Sequence, residues 1–78
     1  MILIESTSGT GNDTWSYSGT QTPNTFSFAN DGDADATVGV GSQTITVKPG
    51  EAVDIAVATP FYELAITATG AWRLLVGR

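Results

Sequence analysis

The chain has 78 residues with three Lys or Arg, eight Asp or Glu, no His and no Cys, for a formal charge of −5 and a pI near 4.1. Three cations cannot supply the phosphate neutralisation on which nucleic-acid affinity rests, the missing Cys and His remove disulfides and structural zinc, and no apolar run approaches the ~20 residues of a membrane span. A chain this short makes one domain that hides only about 60% of its unfolded surface, so association with its own copies or with a larger surface is the expected extra source of stability.

Met1-Ile2-Leu3-Ile4-Glu5 has no basic segment before its apolar run and is too short for a signal peptide. Residues 2–5 are predicted as a first strand, and Trp15 with Tyr17 as a second. Residues 6–14 and 18–25, rich in Ser, Thr, Gly and Asn, read as loop or mobile arm because they cannot bury much apolar surface. Residues 1–25 thus form an N-terminal strand or arm with a polar loop, and residues 26–78 form the core of the one domain. The opening segment has two readings: an edge strand of that core, or an arm that docks elsewhere through its bulky side chains.

From Phe26 onward apolar residues recur at every second position, as in strands with one buried face. Phe26 and Phe28 begin the series, followed by Val38 and Val40, Ile45 and Val47, and the trio Val53, Ile55, Val57. Leu64, Ile66 and Ala68 continue it, and Trp72, Leu74 and Val76 close it. Between these runs Gly41-Ser42 suits a two-residue hairpin with a type II′ turn, Lys48-Pro49-Gly50-Glu51 a type II turn, and Thr69-Gly70-Ala71 a last reversal. The turns predict consecutive antiparallel connections, a meander or part of a Greek key. The fold class is therefore all-β: a small antiparallel β-sandwich, jelly-roll-like or immunoglobulin-like, of six to eight short strands.

Few residues carry chemistry. Asp31-Gly32-Asp33-Ala34-Asp35 alternates oxygen donors as a calcium loop does, but an EF-hand beginning at Asp31 needs Gly at position 36 and Glu at 42, where the chain has Ala36 and Ser42. A solvated acidic turn is the expectation, with no metal and no cofactor. Arg73 lies on the face opposite Trp72 and is expected to pair with Glu63 or Asp54. No His or placed Lys is available to activate a hydroxyl, so catalysis is not expected. Trp15, Tyr17, Phe61 and Tyr62 are read as core or protein interface, because aromatic rings bury large areas, with stacking on sugars as the alternative.

Three stretches taken together resemble small β-sandwich structural proteins of tailed bacteriophage virions: Phe26-x-Phe28-x-Asn30-Asp31-Gly32, the run from Gly41 to Glu51, and Pro60-Phe61-x-x-Leu64-x-Ile66-x-Ala68-x-Gly70-x-Trp72-Arg73. The resemblance covers residues 26–78. It implies a non-enzymatic virion protein, a capsid decoration or head-fibre protein or a tail accessory, made in a bacterial cytoplasm and housed in the virion. Its implied partners are other capsid or tail proteins and further copies of itself, with no nucleic acid and no membrane. Ile2, Leu3, Ile4, Trp15, Tyr17, Phe61 and Tyr62 are the expected protein-interface residues, and residues 1–5 the expected extra strand for a neighbour's sheet edge. A carbohydrate- or receptor-binding module is the alternative.

Overall fold

The computed structural model describes residues 1–78 and contains eight strands and no helix. In chain order they are β1 (Leu3–Thr10), β2 (Asp13–Ser16), β3 (Thr25–Asn30), β4 (Ala36–Val40), β5 (Gln43–Val47), β6 (Ala52–Ala56), β7 (Glu63–Thr67) and β8 (Ala71–Gly77). Two four-stranded antiparallel sheets pack face to face, ordered β1-β8-β3-β6 and β2-β7-β4-β5. The predicted all-β sandwich is the observed fold.

Its topology decides between the two sandwich types. Strand β1 pairs with β8, β2 with β7, β3 with β6 and β4 with β5, so the chain is one long antiparallel ribbon folded back at Gly41-Ser42. Wrapping brings β3 against β8 and β4 against β7, which joins the layers of ribbon into two sheets. That is the jelly-roll arrangement. Only the β4–β5 link is a hairpin within one sheet, and the expected run of consecutive hairpins does not form, because β5 and β6, like β7 and β8, lie in different sheets. The turns themselves behave as read: Gly41 and Gly50 take positive φ, 59° and 79°, and the Glu51 amide donates to Lys48 O at 3.0 Å. Turn residues fix where the chain reverses, whereas the sheet a strand joins is settled by partners far away in sequence.

Alternation supplies the core. Phe26, Phe28, Val38, Leu64, Leu74 and Val76 are among its fully buried side chains, and Trp72 stacks on Phe28 with ring centroids 5.9 Å apart. Val53, Ile55 and Val57 are only partly buried, since β6 is an edge strand and has a neighbour on one side only.

The main departure from expectation is β1. Residues 6–10, read as loop from their Ser, Thr and Gly content, are paired one by one with β8. Small side chains are what this strand needs, because the indole of Trp72, on the paired strand β8 of the same sheet, lies over it. A Cβ on Gly9 would lie 2.6 Å from Cζ2 of Trp72, so the glycine makes room for the indole. The Trp72 Nε1–H then donates to Gly11 O at 2.9 Å, which satisfies the one polar atom of an otherwise apolar ring.

Candidate functional site

Antiparallel strands sort the connections onto two ends of a body with principal extents of 35 × 21 × 19 Å. The links β1–β2, β3–β4, β5–β6 and β7–β8 lie at one end. The links β2–β3, β4–β5 and β6–β7 lie at the other, with both chain termini.

Carboxylates gather at the first end: Asp13 opens β2, Asp31, Asp33 and Asp35 lie between β3 and β4, and Glu51 lies before β6. These loops are held by side-chain amides. Asn30 is 2% exposed; its Nδ2 donates to Ala34 O at 2.8 Å and to Val47 O at 2.9 Å, while its Oδ1 accepts from the Gly32 amide at 3.0 Å. Its backbone N–H donates to Glu51 O and its carbonyl accepts from Gly50 N, each at 2.9 Å. One residue thereby ties the β3–β4 and β5–β6 connections together. Sequence reasoning passed over it, although Phe26, Phe28 and Asn30 share the inward phase of a period of two, and a polar residue in that phase signals a buried amide with partners. Asn12 does similar work, its Oδ1 accepting from the Ala68 amide at 3.0 Å.

Arg73 does not reach Glu63 or Asp54. Its Nε donates to Asp31 Oδ2 at 2.7 Å and its Nη2 to Asp31 Oδ1 at 3.1 Å. The reason is topological: β8 lies between β1 and β3, Arg73 stands opposite Ala29, and Asp31 follows just beyond the end of β3. Hydrogen bonding from Arg73 is the largest influence on the Asp31 carboxyl and holds it below the ordinary carboxylate range; desolvation opposes this, and the guanidinium charge adds to the lowering. The same pairing raises Arg73. Asp31 is therefore an ion-pair partner, and no group of three or more His, Cys, Asp or Glu side chains converges in a metal-holding arrangement.

The opposite end, whose β2–β3 and β4–β5 links are rich in Ser, Thr and Gly, is apolar only around the chain's first residues and Tyr62: the exposed large hydrophobics Met1 (61%), Ile2 (62%), Leu3 (56%) and Tyr62 (48%) lie there, and Leu75 (41%) lies just above on the outer face of the β1-β8-β3-β6 sheet. Met1 and Leu75 border a shallow groove of about 460 Å³ on the outer face of the β1-β8-β3-β6 sheet, floored by Thr25, Ser27 and Ala56 and edged by Asp54. Beneath this surface four rings run in series: Tyr17 lies parallel to Trp15 at 6.0 Å, Trp15 meets Phe61 edge-on at 5.9 Å, and Phe61 meets Phe26 edge-on at 5.7 Å. The Trp15 Nε1–H donates to Glu5 Oε2 at 2.8 Å, closing the gap between the edge strands β1 and β2.

The expected interface residues therefore divide. Ile2, Leu3 and Tyr62 are exposed, Ile4 and Tyr17 are half-buried, and Trp15 and Phe61, each 7% exposed, belong to the core and support the surface from beneath. Residues 1–5 do not hang free: Ile2 and Arg78 exchange two backbone hydrogen bonds at 2.7 and 3.0 Å, and Glu5 pairs with Val76. Ile4 is the extra residue of a bulge between Leu3 and Glu5, a device that blunts an edge against further strand pairing. What this segment offers a partner is side chains more than backbone. Leu75 was missed as a surface residue. The unbroken Leu74-Leu75-Val76 run was the available signal, since in a strand with one buried face the middle residue of such a run must face outward.

The chain matches no protein-family model, no curated protein and no solved structure.

Proposed function

We propose that this protein is a non-enzymatic assembly module that docks by its apolar end on a repeating protein lattice, as a capsid decoration, head-fibre or tail accessory protein of a tailed bacteriophage does. The observation that carries the reading is the segregation of surface groups. All five exposed large hydrophobics sit toward one end, and Asp13, Asp31, Asp33, Asp35 and Glu51 sit at the other. Exposed apolar side chains gathered in one place mark interaction surfaces, whereas the same residues scattered singly do not. Acidic loops projecting outward keep neighbouring modules apart and soluble. The jelly roll also suits a particle component, because wrapping leaves only short or blunted strand edges.

The test is the composition of purified particles from cells that produce the chain. The wild-type protein is expected in fixed ratio to the lattice protein, and a folded Ile2→Asp, Leu75→Asp double variant is expected to be missing. Particles devoid of the wild-type protein would overturn the proposal. A glycan-binding role keeps one supporting feature, the exposed ring of Tyr62, because Trp15 and Phe61 are occupied in the core. Glycan-array binding abolished by Tyr62→Ala would favour that role.

A further inference from the structure

We infer that β5 pairs with the β5 strand of a second copy of the chain, antiparallel about a two-fold axis at Ile45, so that two four-stranded β2-β7-β4-β5 sheets become one. This surface is a sheet edge, separate from the apolar end. The edge strands are β1 and β6 in one sheet and β2 and β5 in the other, and an edge invites pairing unless a charge, a bulge, a proline or extreme shortness blunts it. All but β5 are blunted. β1 carries Glu5 and the bulge at Ile4, β2 has four residues and opens on Asp13, and β6 holds Asp54 at its centre. Gln43-Thr44-Ile45-Thr46-Val47 has no charge, bulge or proline, and its β-branched residues suit an extended strand.

Backbone geometry fixes which groups of β5 are free. The two-residue loop at Gly41-Ser42 makes Val40 and Gln43 a hydrogen-bonded pair, so Gln43, Ile45 and Val47 turn their N–H and C=O groups toward β4. Those of Thr44 and Thr46 face the open side. β5 has no second strand neighbour, and no turn or loop hydrogen bond engages the backbone of either threonine. A two-fold interface requires the strand to match itself, and an axis at Ile45 sets Thr44 opposite Thr46 of the second copy and Thr46 opposite its Thr44, which pairs every free group of both residues. No like charges meet. Lys48, the sole charged residue from 42 to 48, falls opposite Ser42 of the second copy, while the half-buried Ile45 side chains meet in a non-hydrogen-bonded pair, where side chains come closest. The same pairing fails for β6, whose open groups belong to Ala52, Asp54 and Ala56, because using all of them sets Asp54 against Asp54 of the second copy. Two five-residue strands bury much less than the roughly 800 Å² per partner of a standard interface, so the dimer is weak and concentration-dependent.

Light scattering and amide hydrogen exchange on the full chain at rising concentration test this directly. The mass is expected to climb from 8.1 kDa toward twice that value, and the Thr44 and Thr46 amides to become protected while those of Asp54 and Ala56 keep exchanging fast. Charge pairs then test the register. Thr44→Lys with Thr46→Glu sets opposite charges across the axis and is expected to dimerise at least as well as wild type, whereas Thr44→Glu with Thr46→Glu is expected to weaken the dimer about tenfold. Thr44→Lys with Thr46→Lys is expected to weaken it too, although it moves the net charge of −5 toward zero, which separates the register from general repulsion. Both side chains are exposed, so these variants keep the fold. Ile2→Asp with Leu75→Asp, the variant that tests lattice docking, is expected to dimerise like wild type. A protein monomeric up to about 1 mM, or a dimer whose Thr44 and Thr46 amides stay unprotected, would overturn the inference. So would a dimer lost in the Ile2, Leu75 variant, or a lysine and glutamate pair no tighter than the two like-charged pairs.

Discussion

The two ends of this jelly roll are stabilised by different means. At the acidic end, loops rich in Asp, Gly and Asn cross with little apolar surface between them, and side-chain amides of Asn30 and Asn12 hold them by bonding to backbone groups. At the apolar end, the rings of Tyr17, Trp15, Phe61 and Phe26 fill the space, and polar bonds are secondary. The difference shows how a chain with 16 buried residues closes both ends of a sandwich: four rings in series fill the apolar end, whereas above the Phe28–Trp72 stack the acidic end is closed by amide hydrogen bonds that leave its surface wet.

Removing one key residue from each end sharpens this contrast. Phe61→Ala deletes the ring that links Trp15 to Phe26 and is expected to cost about 3–5 kcal/mol, lowering Tm by roughly 12 °C or more in a domain of this size. A loss below about 1 kcal/mol in denaturant unfolding would mean that ring packing does not hold the apolar end. Asn30→Ala is expected to cost roughly 2–4 kcal/mol, because two carbonyls and one amide lose their partner in a buried site. Its signature is faster hydrogen exchange confined to amides of residues 31–35 and 48–51, with those of β7 unchanged; uniform acceleration would show that the residue supports the whole fold equally.

The smallest effect belongs to the exposed Arg73–Asp31 pair, for surface ion pairs contribute little. Its value is in the sign of its pH dependence. Asp31 is held below its usual range when folded, so its contribution is present above the unfolded carboxylate pKa of ~3.9 and is lost as pH falls through the lower folded value. The stability difference between wild type and Arg73→Ala is thus expected to be constant near neutrality and to vanish in strong acid. A difference that grows on acidification would contradict the pairing.

Much of this architecture was legible in the residues. The strands β3 to β8 follow from alternation, and the reversals at Gly41-Ser42 and Pro49-Gly50 from the conformations those residues prefer. Residues 6–10 were not legible as strand, because their Ser, Thr and Gly content suits β1 only beside Trp72 of the paired strand β8. Arg73 was assigned the wrong carboxylates for a related reason: which acids lie nearby depends on strand order. The candidate surface was half legible. Ile2, Leu3 and Tyr62 are exposed, while Trp15 and Phe61 proved to be core, and the outward position of Leu75 had only the Leu74-Leu75-Val76 run to signal it.

By itself, then, the order of residues determined that the chain forms short strands with one apolar face, and where it must turn, because both properties depend on neighbours a few positions apart. Which strand lies beside which was decided only by tertiary structure. Pairing β1 with β8 and β2 with β7 joins residues at opposite ends of the chain, and those choices are made together when both sheets close over a single core. The same wrapping, with no local signal to announce it, gathered five of the eight carboxylates at one end and the exposed large apolar side chains toward the other.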